Sequence, residues 1–181
     1  MTTVYIDRLS TPLGDLLLAH AGNQLCMLDF EGYEPRFDAL LQRRFGHVAV
    51  QEKPLARDIM EQLQAYFDGE LDGLRHLPVR AAGTSFQRLV WDTLRQIPAG
   101  ITWTYAQLAA AIRQPQAVRA VAMANAHNPL AIVLPCHRVI GSDGELTGYA
   151  GGLDRKRWLL KHEGIALPTF NARPVQARFY F

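Results

Sequence analysis

The 181-residue sequence has little cysteine, little net charge and no long apolar segment. Its two cysteines, Cys26 and Cys136, are far apart in apolar surroundings, so a disulfide framework is excluded and two reduced thiols are expected. No apolar run approaches the ~20 residues of a transmembrane helix, and the N-terminus lacks the basic and apolar pattern of a secretory signal. These absences predict a soluble, cytoplasmic protein without a membrane partner.

The net charge of +2 is unevenly distributed along the chain. Residues 1–83 contain 8 Lys or Arg and 12 Asp or Glu, whereas residues 84–181 contain 11 and 5. The basic half is the one that contains Cys136. This asymmetry favours a polyanionic partner for the C-terminal part, although a modest excess is also typical of an ordinary solvated surface.

The first of two expected domains, 1–83, is predicted to be α/β. Short β-rich runs separated by turn clusters predict a small antiparallel sheet, and two helices follow it. The predicted strands are 4–8, 14–19 and 24–30, and the predicted helices are 35–45 and 54–67. The glycines of 68–83 indicate a linker. No catalytic constellation occurs in this domain, so we expect it to support the second one.

The second domain, 84–181, is predicted to be mostly α-helical. Capping boxes at 84–87 and 104–107 open two helices. Pro115 interrupts the second helix and starts a third that extends to about residue 126, which gives a helix-turn-helix pattern. The third helix is rich in alanine, so its backbone could approach the floor of a DNA groove; an alanine-rich buried helix is the alternative.

An apolar run at 130–134 leads directly into Pro135, Cys136 and His137. Cysteine attacks as its thiolate, and an unperturbed thiol with a pKa near ~8.5 is mostly protonated at neutral pH, so a reactive cysteine needs a nearby base or positive charge. His137 and Arg138 are candidates. Neighbouring side chains of an extended segment point to opposite faces, however, so a further group must orient the histidine or bridge it to the thiol.

The segment 135–139, Pro-Cys-His-Arg-Val, resembles the active-site signature of the O6-alkylguanine-DNA alkyltransferases, which are DNA repair proteins. The resemblance extends from about Phe86 to Gly164. Further matching residues are Trp91, Thr104-Tyr105, Arg119-Ala120-Val121, Asn128-Pro129, Gly148-Tyr149, Gly151-Gly152, Trp158-Leu159-Leu160 and His162-Glu163-Gly164. The resemblance implies a ribonuclease-H-like N-terminal domain and a C-terminal domain that binds DNA through the helix-turn-helix.

The resemblance assigns the chemistry to four residues. Cys136 is the expected nucleophile, and Glu163 is expected behind His137, where it orients and polarises the ring, with a water between thiol and imidazole. The hydroxyl of Tyr105 would hydrogen-bond the guanine and stabilise the departing anion. Because water does not readily cleave an S-alkylcysteine, each chain would react once, and neither a cofactor nor a metal ion is required.

The same resemblance places six residues against the DNA or the damaged base. Arg119 would enter the duplex and fill the space of the flipped-out nucleotide, beside Ala120 on the recognition helix. Asn128 would connect that helix to the active-site loop by hydrogen bonds. The pocket for the flipped base would be formed by Tyr149, the backbone amide of Ala150 and the carbonyls near Cys136 and Val139.

Taken singly, several of these residues have ordinary interpretations. One arginine such as Arg119 usually forms a surface salt bridge, and 148–152 would by itself be an ordinary glycine-rich turn. Arg138 is expected to be structural or to face a phosphate.

Some members of the resembled family bind a structural zinc ion in the N-terminal domain. The candidate ligands here are Cys26, His20, His47 and His76. They lack the close paired spacing of a zinc site, so no metal is predicted.

The resemblance predicts direct repair of O6-alkylguanine in double-stranded DNA by transfer of the alkyl group to Cys136. Two rival functions share parts of the pattern, namely a damage sensor that binds DNA without turnover and a cysteine hydrolase that uses Cys136, His137 and Glu163. Cys136 argues against the sensor, because non-catalytic relatives replace that cysteine. The sequence leaves open the range of alkyl groups, activity on O4-alkylthymine, cooperative assembly of the expected monomer on DNA, and the role of 165–181.

Overall fold

The structure is a computed structural model that describes residues 3–46 and 49–167. The strands are β1 (Thr3–Thr11), β2 (Gly14–Ala21), β3 (Gln24–Phe30), β4 (Ala49–Glu52), β5 (Trp103–Thr104) and β6 (Val139–Ile140). The helices are α1 (Glu34–Phe45), α2 (Arg57–Phe67), α3 (Ser85–Leu94), α4 (Tyr105–Ala111), α5 (Val118–Ala126) and α6 (Leu153–His162), with 3₁₀ turns at Gly73–His76 and Cys136–Arg138. The C-terminal stretch 168–181 and the candidate zinc ligand His47 lie outside the described residues.

The N-terminal part is a four-stranded sheet of order β3-β2-β1-β4, with α1 and α2 after its third and fourth strands in the chain. The predicted antiparallel pairing of β1, β2 and β3 is confirmed. A fourth strand, β4, was not predicted; it pairs parallel with β1 and makes the sheet mixed. α2 begins at Arg57 rather than at Pro54, because the Leu55 N–H donates to Asp7 Oδ2 at 3.0 Å and anchors the preceding segment to β1.

The two predicted capping boxes open α3 and α4, and in each the threonine hydroxyl and the glutamine side chain both make their capping bonds. The apolar residues of α3, Phe86, Leu89, Val90 and Leu94, would predict one buried face, but Leu89 is 41% exposed. The helix instead buries Trp91, whose Nε1 donates to the Ala124 carbonyl at 2.8 Å and connects α3 to α5. Helix propensity and capping set the helix, while tertiary packing selects which of its faces is buried.

α5 begins at Val118, so Pro115 precedes the helix instead of starting it. Val121, Ala124 and Asn125 of this helix are buried, whereas Arg119 and Ala120 are exposed. The alternative of an alanine-rich buried helix therefore holds for one face of α5 only, because the face with Arg119 and Ala120 is open to solvent.

The segment 68–83, predicted as a linker, packs against the rest of the chain. Leu74 and Leu77 are buried in a core that also contains Leu28 and Trp91. The Arg80 N–H donates to the Leu25 carbonyl at 2.7 Å, which extends the pairing of β3 into this segment. The predicted N- and C-terminal parts thus share one hydrophobic core, and the boundary at 83/84 stays a prediction. None of the described helices is both long and apolar enough to cross a membrane.

Candidate active site

The segment after α5 threads through the interior beside β3. The Leu28 N–H donates to the Pro129 carbonyl at 2.8 Å, and the Ala131 N–H donates to the Leu28 carbonyl at 3.0 Å. Ile132 adopts a φ of 70°, an unfavourable conformation for a β-branched residue that costs about 1–3 kcal/mol and is typical of functional loops. The segment ends at Cys136, which opens the 3₁₀ turn and is only 7% exposed.

Asn128 connects the end of α5 to this segment. Its Oδ1 accepts from the Leu130 N–H at 2.9 Å, and its Nδ2 donates to the Leu134 carbonyl at 2.7 Å. Both bonds are buried, so they fix the loop firmly two residues before Cys136.

His137 and Glu163 form a buried pair. His137 Nε2 lies 2.8 Å from Glu163 Oε1, and both side chains are fully inaccessible to solvent. Because a carboxylate can only accept, this contact places the proton of the neutral ring on Nε2. Nδ1 is buried and has no hydrogen-bond partner among the described residues, so it is available as an acceptor.

Glu163 is at the C-terminal end of α6 and accepts hydrogen bonds from three side chains. Besides His137, these are Arg138, which donates through Nε and Nη2 at 2.8 Å each, and Tyr66, whose hydroxyl donates at 2.8 Å. Burial alone would raise the pKa of Glu163, but His137 and Arg138 hold it well below its usual range. Arg138 is 7% exposed and paired with Glu163, so of its two expected roles it has the structural one.

Burial and the charges near Cys136 act on the pKa of its thiol in opposite directions. Burial raises the pKa of the Cys136 thiol, while a hydrogen bond from Asn128 and the positive charges of Lys156 and Arg36 act against this rise. Burial lowers the pKa of His137, although Glu163 acts in the opposite direction. Desolvation is the largest cause in both cases, so burial favours the neutral form of the thiol and of the imidazole.

Lys156 is a buried cation that the sequence analysis missed. It is fully buried in α6, and its Nζ donates to the Val139 carbonyl at 2.6 Å and to the Thr147 carbonyl at 2.9 Å. Burial lowers the pKa of Lys156 to about 8, while Cys136 acts to raise it. Its place one turn before the apolar Leu159 and Leu160 was the available signal, because residues three and four apart share a helix face.

Tyr149 and the glycine-rich segment lie against the N-terminal sheet. The Tyr149 ring meets the Phe30 ring edge-on, with centroids 6.2 Å apart, and its hydroxyl is buried without a partner among the described residues. Burial and the proximity of Cys136 raise the pKa of Tyr149 well above its usual value. Gly151 is required here, because a Cβ at this position would lie 2.5 Å from the Phe30 ring.

The remaining predicted site residues differ in how far they are buried. Tyr105 opens α4 and is partly buried, which raises its pKa, and the charge of Cys136 acts in the same direction. Val139 is fully buried in β6, whereas Ala150 is exposed. Arg119 forms no ion pair with any described residue, so the surface salt bridge that is usual for a single arginine is not present in this part of the chain.

The described residues contain no group of three or more His, Cys, Asp or Glu that could hold a metal ion. His20, one of the candidate ligands, instead contacts the carbonyls of Gly22 and Lys53 through its two ring nitrogens. These contacts occupy both nitrogens with backbone groups.

Two family models match the chain. The DNA-binding domain of 6-O-methylguanine DNA methyltransferase matches residues 85–165, and the ribonuclease-like domain of the same proteins matches residues 3–81. The methylated-DNA–protein-cysteine methyltransferase of Salmonella typhimurium is 43% identical over 164 residues, covering 89% of this chain and 96% of that protein. The corresponding protein of Mycolicibacterium paratuberculosis is 51% identical over 169 residues, covering 89% of this chain and 95% of that protein.

Solved structures agree with these matches. The O6-methylguanine methyltransferase of Mycobacterium tuberculosis superposes with a TM-score of 0.75 at 40% identity, covering 89% of this chain and 93% of that chain. Mycobacterium tuberculosis OGT in complex with DNA superposes with a TM-score of 0.74 at 39% identity, covering 88% and 92%. The observed fold therefore matches that of proteins solved with and without DNA.

Proposed function

Since the chain belongs to the 6-O-methylguanine DNA methyltransferase family, we propose that it repairs O6-alkylguanine in duplex DNA by irreversible transfer of the alkyl group to Cys136. Its enzymatic class is that of the family, methylated-DNA–protein-cysteine S-methyltransferase, and its partner is DNA. The observation that carries the proposal is the buried His137–Glu163 pair directly after the buried Cys136 in the chain, with Nδ1 of the imidazole available as an acceptor.

The damaged base must leave the stack before the buried thiol can reach it. The exposed face of α5 approaches the minor groove, and Arg119 enters the duplex as the nucleotide flips out. Extrusion costs a few kcal/mol, and the arginine offsets part of this by filling the space. Ala120 adjoins Arg119 on the same face and allows a close approach because its side chain is small.

The flipped base enters the space near Cys136. Tyr149 forms one wall and is held by its contact with Phe30. The carbonyls near Cys136 and Val139, with the backbone amide of Ala150, meet the polar edge of the base. Asn128 supports this pocket through the loop and does not take part in the chemistry.

The transfer is one displacement at a saturated carbon. His137 Nδ1 takes the thiol proton through a water, while Glu163 stabilises the resulting imidazolium. The thiolate sulfur forms a bond to the alkyl carbon as the carbon–O6 bond breaks. The electron pair of the broken bond stays on the guanine. The Tyr105 hydroxyl donates to this departing anion, which then takes up one proton, so atoms and charge balance.

The product is a thioether on the protein, and each chain reacts once. This separates the proposal from its rivals, because a hydrolase would release product repeatedly and a sensor would bind damage without acquiring an alkyl group.

The N-terminal part, 1–83, supports the site by supplying Phe30 and Tyr66.

The stoichiometry of transfer tests this proposal. With an excess of duplex oligonucleotide containing radiolabelled O6-methylguanine, we expect protein-bound label to reach one methyl group per chain and then stop. Continued consumption of methylated DNA would indicate turnover, and absence of label on the protein would indicate binding alone. An unmethylated duplex with the same sequence is the control for non-covalent retention.

A further inference from the structure

Tyr66 connects α2 to the candidate catalytic carboxylate. Its side chain is fully buried, and its hydroxyl donates to Glu163 Oε1 at 2.8 Å, across 97 positions of sequence. Its carbonyl lies 2.7 Å from Nε2 of His162, and its ring meets the rings of Phe67 and His162 edge-on. The hydroxyl is therefore held in place by both the backbone and the ring.

The oxygen that receives this bond also holds the catalytic histidine. Glu163 Oε1 accepts from Tyr66, His137 and Arg138, whereas Oε2 accepts from Arg138 alone. A carboxylate has about four acceptor positions, two on each oxygen, so the three donors on Oε1 share the lone pairs of one oxygen. Each donor stabilises the same negative charge, so each added donor lowers the affinity of the carboxylate for a proton.

Tyr66 remains a donor at every pH at which the protein works. Burial and the adjacent Glu163 carboxylate raise its pKa far above the usual value. Its hydroxyl therefore stays protonated and continues to donate to Glu163.

We propose that Tyr66 is a positioning residue for the catalytic carboxylate: its hydroxyl fixes Glu163 Oε1 and weakens the attraction of that oxygen for the His137 ring. This rests on the proposed function, in which the His137–Glu163 pair takes the thiol proton. A weaker attraction makes the imidazole less basic, so Cys136 stays protonated until substrate is bound. In a protein that reacts once, this protects the thiol from unproductive alkylation.

The other charged and titratable side chains around the thiol and the pair are kept when only this hydroxyl is removed. They are Asp29, Arg36, Tyr105, Arg138, Tyr149, Lys156 and His162, of which Tyr149 also interacts electrostatically with Tyr66. The phenylalanine variant therefore removes one hydrogen bond from Glu163 and leaves these groups in the chain.

The test is the pH dependence of thiol alkylation in the full-length protein. Wild type, Tyr66→Phe and Glu163→Gln are treated with iodoacetamide across a pH series, and the Cys136 and Cys26 peptides are quantified by mass spectrometry. For Tyr66→Phe we expect the acid limb of the Cys136 profile to move to lower pH by roughly half a unit, equivalent to about threefold more thiolate. For Glu163→Gln we expect a shift to higher pH, because the imidazole loses its anionic partner.

Cys26 is the internal control, since it is a second buried cysteine and burial raises its pKa as well. Its profile should be the same in wild type and Tyr66→Phe. A Cys136 profile of Tyr66→Phe that coincides with wild type or moves to higher pH overturns the role of Tyr66. A parallel gain in the reactivity of both cysteines also overturns it, because it would indicate that the variant destabilises the whole fold. An unchanged Cys136 profile in Glu163→Gln instead overturns the proposed role of the His137–Glu163 pair, and the role of Tyr66 with it.

A second replacement keeps the shape of the side chain. A difluorinated tyrosine at position 66, introduced by site-specific incorporation, is a stronger hydrogen-bond donor of nearly the same size. We expect it to move the acid limb of Cys136 to higher pH, opposite to Tyr66→Phe. A shift in the same direction as phenylalanine would contradict the proposal.

Discussion

Glu163→Gln is expected to slow alkyl transfer from duplex DNA by on the order of a hundredfold or more, because a neutral amide cannot stabilise the imidazolium that forms as His137 takes the thiol proton. The structure makes this residue the acceptor for Tyr66, His137 and Arg138. Single-turnover rates with excess protein measure the effect on the transfer step.

The same substitution should also destabilise the fold. It leaves the Arg138 guanidinium buried without its anionic partner, which costs about 3 kcal/mol for a pair of this kind. Because the pKa of Glu163 is depressed in the folded protein, its contribution to stability is present above the unfolded carboxyl pKa, near ~4.3, and is lost as the pH falls below it. The difference in unfolding free energy between wild type and variant should therefore be largest at neutral pH and shrink in acid.

Denaturant unfolding at several pH values measures this difference. Glu145→Gln, on an exposed loop residue, is the matched control and should leave both rate and stability unchanged. A Glu163→Gln variant that retained the wild-type transfer rate while losing stability would show that Glu163 stabilises the fold but does not assist the transfer.

Arg119→Ala should slow the extrusion of the damaged base from duplex DNA without slowing the alkyl transfer itself. We expect transfer from duplex DNA to fall by about tenfold or more, since the variant loses the side chain that offsets part of the few kcal/mol of extrusion. Reaction with a free O6-alkylguanine base should stay near the wild-type rate, because nothing has to be flipped. The ratio of the two rate constants is the measurement.

The control is Arg57→Ala, which removes another exposed arginine, one that pairs with Glu61 on α2. It corrects for the loss of one positive charge from the whole protein, which weakens DNA binding in general. Equal losses with duplex and free base in Arg119→Ala would count against insertion of the arginine into the duplex.

Local features of this protein could be predicted well from its sequence. The capping boxes at Thr84 and Thr104 formed because their partners lie only three residues away. The active-site segment could be predicted for the same reason, because Cys136 and His137 are adjacent in sequence. The pairing of His137 with Glu163 required the family resemblance, since 26 positions of sequence separate them.

Features that depend on tertiary packing were missed. Tyr66 lies within the predicted helix 54–67, and nothing local indicated that its hydroxyl would donate to Glu163. Lys156 lies on the buried side of α6 because two distant carbonyls satisfy its charge. β4 has four residues and pairs with β1 across more than forty positions, so no local pattern marked it.

The mass of the Cys136 peptide, after incubation of the protein with duplex oligonucleotide containing O6-methylguanine, tests the central claim most directly. We expect one added methyl group on that peptide, none on the Cys26 peptide, and none anywhere in Cys136→Ala. Parallel incubation with bulkier alkyl groups would show how large an adduct the pocket accepts. An unmodified Cys136 peptide alongside repaired DNA, or a methyl group that persists in Cys136→Ala, would contradict the account.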